Sequence, residues 1–439
     1  MCYIAQVELK LALKRRKMVF ANNFKGINDS DILNNAIKSR DGDGIVVISP
    51  RNIDDSRDYW LLDNAVLLPE NTTVVLQNVK IKLSDKCRDN FFRSANCGLG
   101  MEDIFLIKNI HIKGEGSCIL EGADHPRATG DSSKLLHAPC PHFPEDICKV
   151  ADWIPAERRE PDKINFWDIH NHSYGTDAGN PEESQYGDWR GIGILFAMVE
   201  DFSISGICIK ESHGWGISLE ACSNGRVEKI DFDSRMHKMI DGTYMNMENQ
   251  DGVDIRNGCH HIVVSDITGS TGDDVVALTA IASNDTYRPS GSLVSTHVMH
   301  NDWSKRETDI HDIIIRNVIA KSHLCWIVRL LPAMAKIYNV IIDGVIDTRR
   351  NESYKHAQTL LLGDEGFYGE NLMDSMNNIT VSNIIGNSVH VAGFLSDSVI
   401  TNIINNDSRV PAVQVDRENG INNVFIFNTV EAAKNKNFM

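Results

Sequence analysis

A phrase of the form apolar-x-apolar-x-Asn/Gly/Asp-apolar-x-apolar recurs along most of this chain. It appears at Ile104–Ile112, Phe202–Ile209, Ile262–Ile267, Ile313–Val318 and Val340–Val345, and again at Ile379–Ile384, Val399–Ile403 and Val424–Asn428. Apolar side chains alternate with a period of two, β-branched residues are frequent, and a nearby Gly, Asn or Asp can turn the chain, so each phrase predicts a short strand. The anchors Asn317, Gly344, Asn383, Asn402 and Asn428 follow one another at unequal steps, the longest of which leaves room for a loop or an extra rung. No single phrase can bury its own apolar face, whereas a stack of them forms one continuous core. A propeller would need blades of about 40 residues or more, and a β-sandwich would not keep one phrase through so many repeats. The pattern predicts an all-β chain folded as a parallel β-helix.

Two segments depart from the phrase. Asn28-Asp29-Ser30-Asp31 leads into a short amphipathic run ending near Ile37, which predicts an N-capped helix at the start of the stack, followed by a strand over Asp43–Pro50. Between about 121 and 190 the repeat gives way to a stretch rich in His, Pro and aromatic residues, including Trp153, Trp167 and Trp189. Long insertions of this kind are either functional lids or disordered, and the aromatic content argues for packing over one face of the stack. The expected organisation is an N-terminal extension over 1–22 and one β-helix domain over 23–439, interrupted by a loop-rich aromatic insertion at about 121–190.

Composition narrows the function. A hydrophobic share of 42% with 24% charged residues is globular, which excludes global disorder. The net charge of −16 opposes nucleic acid and anionic membranes as partners. No apolar run approaches the roughly 20 residues that span a bilayer. Lys10, Lys14, Arg15, Arg16 and Lys17 interrupt anything that could serve as the apolar core of a signal peptide. Ten cysteines without a C-x-x-C pair read as reduced thiols, so a cytoplasmic address is expected. Oligomeric state is left open.

The chemistry concentrates in Asn249-Gln250-Asp251-Gly252-Val253-Asp254 and Gly272-Asp273-Asp274-Val275-Val276. Asp251 and Asp273 occupy corresponding places in two segments that repeat one another. If the segments are successive rungs, these positions stack at roughly 4.8 Å, and Asp274 joins them. Asp-Gly and Gly-Asp pairs are also ordinary turn formers, but three acids converging on one patch exceed what turns require and point to proton chemistry or a metal. Asp254, alternating with Val253 and Ile255, reads as a turn acid. Asp168, His170 and His172 have ligand-like spacing, but no second cluster completes a site, so neither a metal nor a cofactor is expected.

These residues resemble glycoside hydrolase family 28, the polygalacturonase group of the pectin lyase-like β-helix superfamily. Asn249-Gln250-Asp251-Gly252 is similar to that family's Asn-Thr-Asp-Gly motif, and Gly272-Asp273-Asp274 to its Gly-Asp-Asp motif. Ser212-His213-Gly214-Trp215 is similar to the Ser-x-x-Trp rung upstream. The resemblance implies a single-stranded right-handed parallel β-helix with a short N-terminal capping helix. It also implies cofactor-free, inverting hydrolysis of a galacturonate-containing or related oligosaccharide. Asp273 would be the general acid, with Asp251 and Asp274 the bases that hold water. Arg329, Asn249, His297 and His300 are the expected substrate contacts. Two motifs depart: Gly-His-Gly is absent, with His297 and His300 the nearest histidines, and Arg-x-Lys appears as Arg329-Leu330-Leu331. In the family that arginine and lysine contact the uronate carboxylate, so the second cation for a uronate is missing.

Two other classes compete. A polysaccharide lyase on the same fold would need a Lys or Arg base beside acid-bound calcium, and the motif rungs offer no lysine. A non-catalytic carbohydrate-binding β-helix would use the acids only as turns.

Overall fold

The structure, a computed structural model, describes residues 18–41, 44–52, 57–87, 89–98, 104–125, 191–240, 243–247, 249–281, 307–349, 358–363, 372–416 and 420–432. The expected aromatic insertion over 121–190 therefore lies outside the described residues beyond His125.

Each coil of the chain contributes one long strand and one short strand to two parallel sheets. Among the described residues the larger sheet has 15 strands and the smaller has 10, and each coil hydrogen-bonds to the next along both. Around the site, the long sheet runs through Ser223–Asp233, His260–Thr271, Ile310–Ser322 and Ile337–Asp347. The short sheet runs through Ile217–Glu220, Val253–Arg256, Val276–Ile281 and Val328–Ala333. Among the described residues every pairing between coils is parallel, as in Ile262 with Ile313 and Val253 with Val276. An antiparallel ribbon, His237–Ile240 with Thr243–Asn246, leaves the stack just before the acid-rich segment.

The Asn/Gly/Asp in the phrase proves to be a bend inside the strand rather than a turn after it. Along Ile310–Ser322 the buried positions are Ile310, Ile313, Ile315, Val318, Ala320 and Ser322. The two wider intervals, before Ile313 and before Val318, break the period of two, and each contains a left-handed residue, Asp312 (φ +57) and Asn317 (φ +55). The left-handed conformation absorbs one residue and returns the next apolar side chain to the interior. It favours Gly, Asn and Asp because other side chains meet backbone there. Gly344, Asn383, Asn402 and Asn428 take the same conformation. Their amides link the rungs: Asn402 donates to Asn383 Oδ1 at 3.1 Å and Asn428 to Asn402 Oδ1 at 3.3 Å. The interior is one apolar cluster running from Val19 to Ala412.

The expected helix forms at Asp29–Lys38, with the Asn28 side chain accepting from the Asp31 N–H at 2.9 Å. Its buried face, Ile32, Leu33, Ala36 and Ile37, joins the core cluster. Buried Asp29 is paired with Arg51 at 3.0 Å and Arg57 at 3.2 Å. One boundary moves. Met18–Phe20, inside the expected extension, already pairs with Ile45–Val47, so the stack includes residues before 23.

Candidate active site

The acids sit where two coils enter the short sheet. Within the strands Val253 pairs with Val276, and the Gly252 N–H donates to the Asp274 carbonyl at 2.8 Å. In that register Asp251 is counted against Asp274. One turn earlier, the Asp273 N–H donates to the Gln250 carbonyl at 3.3 Å and the Gly272 N–H to the same oxygen at 3.0 Å. On that side Gln250 still answers Gly272, and Asp251 answers Asp273. The expected stacking of Asp251 on Asp273 therefore holds only at the turn. The second coil carries one extra residue, and Asp251 stands against both Asp273 and Asp274, in the manner of a bulge. Gly252 makes the approach possible, since a Cβ there would lie 2.4 Å from the Val275 carbonyl oxygen.

The carboxyls differ in setting. Asp251 and Asp274 are buried, and Asp273 is half-exposed. Burial pushes the Asp251 carboxyl well above the usual carboxylate range, with Asp254, Asp273 and Asp274 adding like-charge repulsion. Asp254 lies in the strand rather than in a turn. Burial raises it strongly too, while Arg256 opposes the shift. Asp274 is raised to about 7 by burial, and Arg329 holds it down from a higher value. Arg329 Nη1 stands 3.6 Å from Asp274 Oδ2, and the Trp326 N–H donates to Asp274 Oδ1 at 3.0 Å. Asp274 is thus the buried carboxyl best supported as an anion, whereas Asp251 and Asp254 are both disposed to keep a proton. Asp251 Oδ1 and Asp254 Oδ2 are buried with no hydrogen-bond partner among the described residues.

The outer face of the short sheet shows how the cluster assembles. Val253 and Ile255 point to the core, so Asp254 and Arg256 face outward. The register aligns Ser218, Asp254, Ala277 and Arg329 across four strands. The small side chain of Ala277 leaves room for Arg329 to reach past it to the acids. The Arg329 guanidinium lies 4.9 Å from the Trp326 ring centre, and that of Arg256 4.4 Å from Trp215. Two cation–π pairs therefore flank the carboxyls.

The peptide that supports Asp274 is itself supported. Arg349 Nη1 donates to the Cys325 carbonyl at 2.9 Å, and that carbonyl belongs to the same peptide unit as the Trp326 N–H. Arg349 is in turn paired with Asp347 at 2.5 Å, both side chains 1% exposed. Asp273, Asp274 and Cys325 offer ligand atoms within 4.8 Å of one another. Burial and the two aspartates hold the Cys325 thiol well above its usual range.

Arg329, an expected substrate contact, pairs with Asp274. Asn249 takes a left-handed backbone (φ +50) beside Gln250. Buried Gln250 braces the turn, donating to the Ser212 carbonyl at 2.7 Å and accepting from the Met236 N–H at 2.8 Å. Leu331, at the family's lysine position, packs with Ile281 and Ala333. His297 and His300 fall outside the described residues, as do Asp168, His170 and His172. Trp215 packs with the outer cluster of Leu195 and Ala197, away from the core. Sequence reasoning missed Asp254, Arg256 and Trp326. For the first two a signal was present, because charges alternating with Val253 and Ile255 must share the outer face.

Residues 178–287 match the family model for glycosyl hydrolases family 28, a stretch that contains all four aspartates and stops short of Arg329. The central rungs are thus similar to family 28. Among solved structures, the family 28 exopolygalacturonase of Yersinia enterocolitica is 13% identical, with 96% of this chain and 79% of that one covered at a TM-score of 0.47. The polygalacturonase of Erwinia carotovora is 13% identical over 94% and 93% of the two chains at 0.48. A tailspike protein of E. coli bacteriophage HK620 is 14% identical over 97% of this chain and 64% of its own, and its TM-score of 0.52 shows a shared fold. No curated protein matches the sequence.

Proposed function

We propose that this chain is a family 28 glycosidase that hydrolyses the glycosidic bond of a pectin-like, galacturonate-containing or related oligosaccharide, with inversion at the anomeric carbon. The observation that carries the reading is the one-residue step that sets Asp251 against both Asp273 and Asp274. Inverting hydrolysis needs one carboxylic acid at the leaving oxygen and a carboxylate that activates water on the opposite face of the sugar. Buried and crowded, the cluster retains protons at neutral pH, since Asp251, Asp254 and Asp274 are all raised. Asp273 is the one of the three motif acids with solvent access, which suits it to protonate the leaving oxygen. Asp274, supported as an anion by Arg329 and the Trp326 N–H, suits the base, with Asp251 sharing its water. Proton affinity alone would favour Asp251 as the acid; its burial argues against contact with a leaving group.

Arg329 is the cation beside the acids that can meet a substrate carboxylate. Leu331, in an apolar cluster, adds no second cation among the described residues. The solved HK620 tailspike was in complex with a hexasaccharide, in keeping with a carbohydrate on this fold.

The test is reducing-sugar release from pectic and neutral oligosaccharides in the presence of EDTA, with NMR of the first-formed anomer. Release of the inverted anomer that Asp273→Asn abolishes is the expected result. A retained anomer would overturn the mechanism, and an unsaturated product formed only with calcium would move the chain to the lyases.

A further inference from the structure

Away from the acids, at the start of three long-sheet strands, the register sets His260 against His311 and His311 against Tyr338. Their rings stack: His260 and His311 are 5.0 Å apart at 3°, and His311 and Tyr338 4.9 Å apart at 9°. The next residue in each of the first two strands, His261 and Asp312, is left-handed (φ +55 and +57), at the position other coils fill with Asn. That bend brings consecutive side chains to one side. His261 Nε2 stands 3.5 Å from Asp312 Oδ2, and His311 Nδ1 stands 2.7 Å from the same oxygen. The three residues offer ligand atoms within 4.8 Å of one another.

We propose that His261, His311 and Asp312 form a binding site for a divalent transition cation of the zinc class, separate from the glycosidase acids. Two imidazoles and a carboxylate are the donor set that borderline ions take. Bonds of about 2.0–2.2 Å place tetrahedral ligand atoms roughly 3.3–3.5 Å apart. The His261–Asp312 spacing already meets that, and the His311–Asp312 contact opens by less than about 1 Å on an exposed edge. Each ligand is also oriented from behind, as metal ligands characteristically are. His261 Nδ1 lies 2.7 Å from His260 Nδ1, so its ring can donate there while Nε2 ligates. The His311 ring is held between those of His260 and Tyr338. Asn339 donates to Asp312 Oδ1 at 2.9 Å, leaving Oδ2 for the ion. Such an ion would pin together two neighbouring coils whose paired strands, His260–Thr271 and Ile310–Ser322, are well separated in sequence.

Equilibrium dialysis of the full, untagged chain against zinc tests the site, with cobalt spectra as a second readout. The expected result is one zinc per chain at micromolar concentrations and a nitrogen/oxygen cobalt spectrum without thiolate charge transfer. The ion should raise the thermal midpoint of the wild type. The double variant His261→Gln, His311→Gln should lose the ion and that rise, while Cys325→Ser keeps both. Asp312→Asn is the alternative should the double variant fail to fold, and it should weaken zinc at least about tenfold. No zinc bound at about 100 μM, undiminished binding in these variants, or loss of zinc in Cys325→Ser would overturn the proposal.

Discussion

Asp274→Asn should make the protein more stable at alkaline pH while stopping it from working. The folded state raises the Asp274 carboxyl from 3.8 to about 7. An acid raised on folding contributes stability that is complete below the unfolded value, and that contribution is lost as pH rises through the folded one. At 1.36 kcal/mol per pKa unit, ionising Asp274 in place costs about 4 kcal/mol by pH 8. Asparagine carries no such charge, yet its carbonyl can still accept from the Trp326 N–H that now binds Asp274 Oδ1. Its amide facing the Arg329 guanidinium costs about 1–3 kcal/mol against the neutral acid, the same at every pH, since the attraction of the ionised form to Arg329 is already contained in the value of about 7. The informative quantity is therefore the mutational effect at pH 8 minus that at pH 4, in which the lost contact cancels. It should favour the variant by about 2–4 kcal/mol, the lower bound allowing for relaxation of the coupled carboxyls. Urea unfolding at the two pH values measures it, with circular dichroism of the strands as the signal. Hydrolysis should fall about 10²–10⁴-fold, as for loss of a general base. An equal displacement of the midpoint at pH 4 and pH 8 would mean that Asp274 is not a strained buried anion, and the electrostatic account of the site would fail with it.

Asp251→Asn should lower turnover by a similar factor of about 10²–10⁴ with little change in fold, read by steady-state hydrolysis beside circular dichroism. Arg349→Leu leaves Asp347 buried without its cation, a cost of about 3–5 kcal/mol in urea unfolding; Arg349→Lys should recover only part, since lysine lacks the planar fork that also reaches the Cys325 carbonyl. Trp326→Leu removes the ring under Arg329 but keeps the backbone N–H on Asp274, so stability should drop by about 1–2 kcal/mol while kcat changes less than Asp251→Asn changes it. Gly252→Ala forces a Cβ to 2.4 Å from the Val275 carbonyl, and a loss of at least about 1–3 kcal/mol is expected, with activity reduced because the same turn carries Asp251.

The stack itself is legible because its grammar is local. Period-two apolar residues name the strands, and Asn317, Gly344, Asn383, Asn402 and Asn428 mark the bend within each coil's long strand. What local pattern does not contain is the register at the acids. Aligning the two motifs puts Asp251 on Asp273, and only the pairing of Val253 with Val276 reveals that the coil has lengthened by one residue. That step decides the chemistry, because it sets two successive acids against one. Asp254 is misjudged for a related reason. Read one residue at a time it is a turn former, but its neighbours Val253 and Ile255 are both core residues, which commits Asp254 and Arg256 to the outer face. Arg349 carries no signal at all: it acts on Asp274 through one peptide unit, from a place far down the chain. The site is thus held at three levels. The register places the acids together, the outward cations and the Trp326 N–H allow one of them to ionise, and a buried ion pair fixes the peptide that does so. A substitution at any level should disturb the same proton equilibrium, which is why the pH dependence of stability and that of hydrolysis should move together in variants of Arg329, Trp326 and Arg349.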